Sequence, residues 1–322
     1  NASQCADTTT VQSIPQSQFD GTLIDGNKYK LTIVGKDLAG NQDDGSWFWS
    51  DIIYDKTEPV ADFTYPYKDF HSSMTVISGT AKDDPVEPGA FASEVDYNEI
   101  RIIRDPNGTP SYWDGGKWQD SPNWLVCSGS TTWTYAVDVF TAFEHNVDYQ
   151  VRIKATDNSG NTQSTENTCT FKIDTGVPSG AITFPVNGDF YNDLTTISGT
   201  GADDLSKIDS DGVEIYIKKT PSVGTIKYWN GTAWQDDIIW LTASYGENDW
   251  KYTSGPGNDD IASGDTYEIK AKIIDRAGNE YNPAKITCYG DVESPLASVY
   301  NITDGGYYNP STLTDIDGTA SD

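Results

Sequence analysis

Residues 28–41 read KYKLTIVGKDLAGN, residues 148–161 read DYQVRIKATDNSGN and residues 266–279 read TYEIKAKIIDRAGN, one pattern recurring at intervals of roughly 120 residues. In the second copy Tyr149, Val151, Ile153 and Ala155 alternate with polar neighbours, and in the third Tyr267, Ile269, Ala271 and Ile273 do the same. Successive side chains of a strand point to opposite faces, so a period of two marks a strand with one buried face. Each strand opens on a Tyr that follows a turn, which predicts a tyrosine corner at strand F of a sandwich. Each closes on an AGN or SGN turn that leads into a last strand, G, as TCTFKID or ITCYGD.

Working outward, three further blocks keep the same period. VISGTAKDD from Val76 returns as TISGTGADD from Thr196 and DIDGTASD from Asp315, and reads as strand B. YWDGGKWQD from Tyr112 returns as YWNGTAWQD from Tyr228, each followed by a Trp-Leu pair at Trp124 and Trp240. An Asp-Gly or Asn-Gly flanked by aromatics is a strong hairpin signal. NEIRIIRD and VEIYIKKT read as strand C, WTYAVDV and WKYT as strand E. The linker block recurs as YDKTEPVADFTYP, IDTGVPSGAITFP and GDVESPLASVYNI, with Pro59, Pro178 and Pro295 in register. Two whole repeats follow, at 56–175 and 176–293, flanked by the C-terminal part of one at 1–55 and the N-terminal part of another at 294–322. The expectation is a window of a longer array, with strand sharing between subunits as the alternative.

The SGTA-D block, the D-x-AGN strand end and the linker seen here as IDTGVP resemble bacterial immunoglobulin-like tandem repeats of large extracellular adhesins, biofilm proteins and surface-layer proteins. The resemblance implies an all-β chain of immunoglobulin-like sandwiches in series, exported to the cell surface or beyond. It implies a stalk, fibre or surface layer in which the partners are further repeats or neighbouring copies, with cell-surface glycans as a possible target. The Trp-rich hairpin departs from the family pattern, and the linkers DKTEP, DTGVP and DVESP leave the family's calcium ligation open.

Composition agrees with short strands and excludes several partners. Aromatic residues make up 12% of the chain, too many for a disordered polar segment. The 49 Asp and Glu against 21 Lys and Arg give a net charge of -28, which repels nucleic acid and anionic membrane surfaces. No apolar run approaches the length of a membrane span. The two histidines, His71 and His145, stand in loop-like contexts and no catalytic motif is present, so no catalytic residue is expected and the chain is read as a non-enzyme.

Calcium is the candidate cofactor, because hard cations take six to eight oxygens from carboxylates and carbonyls. Candidate ligands are Asp157 with Asn161 and Asp275 with Asn279 at the F–G turn, and Asp55, Asp174 and Asp291 in the linkers. A second cluster lies in the B–C loop, Asp83, Asp84 and Asp96 in one repeat and Asp203, Asp204, Asp209 and Asp211 in the next. The alternative reading is that the turn acids accept backbone N–H groups in Asx turns. Trp113, Trp118, Trp229 and Trp234 could stack on sugar rings, making the chain a carbohydrate-binding accessory module, or could pair across their own hairpins. Cys127 and Cys169 are the one complete pair within a repeat and a candidate disulfide; buried free thiols are the alternative, also for Cys5 and Cys288. Sequons at Asn1, Asn107, Asn230 and Asn301 are permissive glycan sites.

Overall fold

The computed structural model describes residues 23–32, 37, 39–41, 49–85, 87–137 and 143–322; Asn1 and Cys5 lie outside the described residues. Every regular element among them is a β-strand apart from one 3-10 turn, Asn258–Asp260. No helix among them is long and apolar enough to cross a membrane. The chain divides into two compact units, residues 1–69 with 73–173 and residues 70–72 with 174–322. Each holds an immunoglobulin-like β-sandwich.

In the first unit the strands are A (Val60–Tyr65), B (Val76–Lys82), C (Val95–Arg104), D (Leu125–Val126), E (Thr132–Ala136), F (Asp148–Asp157) and G (Asn167–Ile173). One sheet has the order E-B-A; the other runs G-F-C and continues into the hairpin Ser111–Trp113 with Trp118–Gln119. The second unit repeats this with A (Ser179–Phe184), B (Ile197–Ala202), C (Ile208–Thr220), D (Leu241–Tyr245), E (Asp249–Tyr252), F (Thr266–Asp275), G (Ile286–Gly290) and the hairpin Lys227–Trp229 with Trp234–Gln235. There the longer strand D pairs with both C and E and joins the two sheets at one side. At the ends of the chain, Asn27–Thr32 pairs antiparallel with Trp49–Tyr54, and Leu296–Val299 with Gly318–Ser321.

Strand F shows why the alternation decides the fold. Tyr149, Val151, Ile153 and Ala155 are buried, as are Tyr267, Ile269, Ala271 and Ile273, while the intervening residues face outward. They meet Trp133 and Trp250 of strand E, both fully buried. Each Trp lies directly across from the glycine of the ISGT block, Gly79 and Gly199. A Cβ at either glycine would run into that indole ring and into a strand A carbonyl, of Asp62 or Ala181. The indole N–H donates to the carbonyl of Thr80 (3.3 Å) or Thr200 (3.1 Å), so the buried polar atom is satisfied. Removing one such side chain from water is worth about 4–6 kcal/mol.

The tyrosine corner is present in all three copies. The hydroxyls of Tyr29, Tyr149 and Tyr267 accept the N–H of the residue five positions earlier, Ile24 (2.7 Å), Glu144 (2.7 Å) and Ala262 (3.0 Å). Tyr191 and Tyr308 accept from Val186 (2.8 Å) and Thr303 (2.6 Å) in the same way, which the sequence reading did not anticipate.

Two expectations are corrected by the packing. Trp113 and Trp229 are buried, and Trp118 and Trp234 pack edge-on against them at 5.4 and 5.2 Å between ring centroids. Trp118 also leans on Tyr149 and Trp234 on Tyr267, so the hairpin folds its aromatics onto its own core. The Trp229 indole donates to the Ser254 carbonyl (2.6 Å) and that of Trp234 to Asp260 (3.1 Å). No exposed aromatic row remains there for a sugar, and the stacking reading falls. The second correction is the disulfide. Cys127, Cys169 and Cys288 are free thiols. Cys169 sits in strand G opposite Val151, whereas Cys127 follows strand D with its N–H on the Asn98 carbonyl of strand C. Strands F and C lie between them, a separation of about 14 Å at ~4.8 Å per strand, well beyond the ~5.5 Å Cα separation of a disulfide. Burial pushes the thiols of Cys127 and Cys288 up to about 12, which keeps them protonated.

Candidate functional site

The AGN and SGN turns form the base of the site. In the first whole repeat Asp157 Oδ1 accepts the N–H groups of Ser159 (2.8 Å) and Asn161 (2.8 Å), and Oδ2 accepts the Asn161 amide (2.8 Å). In the second, Asp275 Oδ1 accepts from Gly278 (2.7 Å) and Asn279 (2.8 Å), and Oδ2 from the Asn279 amide (2.8 Å). Asp37 and Asn41 repeat the arrangement at 2.7 and 2.6 Å. The turn Gly residues, Gly40, Gly160 and Gly278, have φ of 93°, 90° and 96°, a conformation that favours glycine. The Asx-turn alternative therefore describes these acids. It does not exhaust them.

The same Asn side chains reach across to the linker. Asn161 donates to the Asp55 carbonyl (3.1 Å) and Asn279 to the Asp174 carbonyl (2.8 Å). Both partners of each amide group are acceptors, so its nitrogen must face them. Asn161 and Asn279 thus tie the linker to the turn through their amide nitrogens.

Tying the linker down brings three carboxylates together. Asp55, Asp83 and Asp157 offer oxygens within 4.8 Å of one another, and so do Asp174, Asp203 and Asp275. One B–C loop aspartate of each repeat thus joins the turn and linker acids in a single cluster, whereas Asp84 pairs with Lys82 and Asp209 with Arg276. Asp55 and Asp174 each accept the N–H two residues on, from Thr57 (3.0 Å) and Gly176 (2.9 Å), and one from the B–C loop, Ser93 (2.7 Å) and Ser206 (3.1 Å). Asp203 Oδ2 accepts the N–H groups of Leu205 (3.0 Å) and Lys207 (2.9 Å) and lies 3.3 Å from the Ser206 hydroxyl. Its Oδ1 is buried with no donor, in a residue only 9% exposed, and Asp83 Oδ1 is in the same position. Burial and the neighbouring Asp55 and Asp157 push the Asp83 carboxyl up to about 6. Asp275 is raised in the same direction, by burial first and Asp174 in addition.

An anionic oxygen buried without a donor is costly unless a cation compensates it. Two further carboxylates belong to the same cluster. The donor set is all oxygen, which suits calcium rather than a soft metal. The residues present fit a calcium ion.

The remaining candidates lie elsewhere. Asp204 is exposed, with its carbonyl on the Lys207 ammonium (3.0 Å), and belongs to neither cluster. Asp291 makes the same linker turn, accepting from Glu293 (3.1 Å), and joins no acidic cluster among the described residues. Asn107 is exposed. Asn230 Oδ1 closes the hairpin turn by accepting from Thr232 (3.0 Å) and Ala233 (2.8 Å), and Asn301 bonds Asp315 and Asp317, so both sequon side chains have structural work.

No protein-family model matches the sequence, and no curated protein does either. Solved structures similar to the chain include the fibronectin(III)-like modules of CbhA from Clostridium thermocellum, at 12% identity and TM-score 0.41, covering 73% of this chain and 97% of that one. Another describes host cell surface retention of a 1.5-MDa bacterial ice-binding adhesin, at 16% identity and TM-score 0.28, covering 81% and 73%. A third is the FN1–FN3 domains of chicken CNTN1, at 15% identity and TM-score 0.38, covering 76% and 71%. None is similar enough for its function to carry over to this chain.

Proposed function

We propose that this chain is a structural segment of an extracellular or cell-surface array of bacterial immunoglobulin-like repeats, serving as a stalk, fibre or surface layer, with calcium locking each linker to the repeat it leads into. The observation that carries the reading is a buried oxygen without a hydrogen-bond donor, Asp203 Oδ1, on a carboxyl group that clusters with those of Asp174 and Asp275, and likewise Asp83 Oδ1 on the carboxyl that clusters with Asp55 and Asp157. A bound calcium would supply the positive charge those oxygens lack. Asp174 or Asp55 would fix the linker, Asp275 or Asp157 the F–G turn, and Asp203 or Asp83 the B–C loop, three segments far apart in sequence. Extracellular modules bind calcium at about 0.1–1 mM, the range in which such a lock is filled outside a cell. The segment is read as non-catalytic, with further repeats of the same or neighbouring copies as its partners.

Thermal unfolding of the chain with and without chelator tests this. Calcium at tenfold its Kd should stabilise each occupied repeat by about 1.4 kcal/mol and raise Tm by several degrees. An identical Tm in excess chelator and in millimolar calcium would leave the acids as Asx turns alone.

A further inference from the structure

We propose that the two acidic sites are unequal, and that the residue following the B–C loop serine sets the difference: Glu94 makes the Asp55–Asp83–Asp157 site the tighter one, and Lys207 makes the Asp174–Asp203–Asp275 site the weaker one. The inference rests on the cation reading above and adds the order in which the sites fill.

Glu94 and Lys207 occupy the same place in their repeats. Both have φ of 67°, in the left-handed region. The N–H of each donates to the loop aspartate, Glu94 to Asp83 and Lys207 to Asp203 (2.9 Å). The carbonyl of each accepts from the residue after the F–G turn aspartate, Asn158 (3.0 Å) and Arg276 (2.9 Å). The backbone is the same, and the charges are opposite. The Lys207 ammonium curls onto the carbonyls of Asp203 (3.1 Å) and Asp204 (3.0 Å), placing a positive charge on the peptide of a ligand residue. Arg276 adds a second cation beside Asp275, partly neutralised by Asp209 at 3.0 Å, where the first repeat has the neutral Asn158. Around the first site the added charges are the anionic Glu94 and two cations that adjoin ligand residues, Lys56 next to Asp55 and Lys82 next to Asp83, the latter paired with Asp84, where the second repeat has Thr175 and Ala202.

Two charges placed about 8 Å from a divalent ion, in water and at physiological salt, would change its affinity about threefold to tenfold. Neither residue is a ligand; both act through the field at the site. Each is tolerated in the left-handed conformation by the other repeat, so exchanging them asks for no new backbone.

The test uses the full chain. Asp203→Asn leaves only the first site and Asp83→Asn only the second, and each is titrated with calcium by calorimetry and with terbium by luminescence sensitised through the aromatic residues. The first-site chain should bind calcium about threefold to tenfold more tightly. Adding Glu94→Lys should weaken it by that factor, Lys207→Glu should tighten the second-site chain, and both effects should shrink at high salt. Equal affinities, or affinities indifferent to the exchanges, overturn the assignment while leaving calcium binding intact. Absence of calcium-dependent heat and terbium luminescence in the unaltered chain overturns the cation reading and this inference with it.

Discussion

Asp83 shows at the scale of one residue how the site stores unfavourable charge. Its folded carboxyl is raised to about 6, above the ordinary 3.8, so between these values the folded chain binds more protons than the unfolded one. Stability without divalent cation must then fall as pH rises from about 4 to 6, and level off above. Asp83→Asn keeps an acceptor and removes the charge. Its expected result in chelator is a flatter stability profile across that window than the unaltered chain, read from Tm at successive pH values, and a loss of calcium-induced stabilisation in that repeat. A parallel profile would mean that Asp83 ionises at no cost. The sequence exposed the Asp residues and their recurrence but not the trio, because Asp55 and Asp157 stand on segments that only the folded sheets bring together. Lys207 and Glu94 were illegible for another reason: their left-handed conformation carries no glycine or asparagine to announce it.

The strands were the most legible elements, and strand F the clearest, since burial on one face alone writes a period of two into the sequence. The ISGT strand was legible as a strand but not as a socket. Gly79 is required because Trp133 lies over it, a contact between strands B and E that neither segment shows alone. Gly79→Ala should therefore destabilise the first repeat by about 2–4 kcal/mol, in the range of overpacked or strained cores, and Gly199→Ala the second. Chemical denaturation followed by Trp fluorescence measures this. A cost below about 1 kcal/mol, the ordinary price of nothing more than a methyl group at a tolerant site, would show that the indole can shift aside. The aromatic hairpin was legible only as two alternatives, sugar stacking or pairing across the hairpin; the tryptophans pair, and Trp118 and Trp234 also cover Tyr149 and Tyr267. Trp124 and Trp240 likewise lie beneath cations of the outer C–F face, Arg101 at 4.2 Å and Lys154 at 4.6 Å for one, Lys272 at 4.9 Å for the other. Amphipathic side chains close these sheets where a larger core would use helices.

A chain of net charge -28 repels itself, and this separates two ways in which ions can stabilise the whole molecule. Monovalent salt screens charges that are more than about 8–10 Å apart, so it relieves the diffuse repulsion of surface acids, but it screens buried groups much less. The trios of Asp55 with Asp83 and Asp157, and of Asp174 with Asp203 and Asp275, are mostly buried and lie within contact distance of a single ion. Sodium chloride should accordingly raise Tm in chelator gradually and without saturation. Calcium should add a further increment that saturates at millimolar concentration and persists at high salt. Magnesium should reproduce little of it, since it demands near-octahedral geometry and gives up its waters reluctantly. Differential scanning calorimetry across matched ionic strengths distinguishes these contributions. If calcium chloride and sodium chloride of equal ionic strength produce superimposable curves, divalent ions act only on the diffuse surface charge, and the linkers are held without them, by hydrogen bonds such as those from Asn161 and Asn279 and from the Ser93 and Ser206 N–H groups.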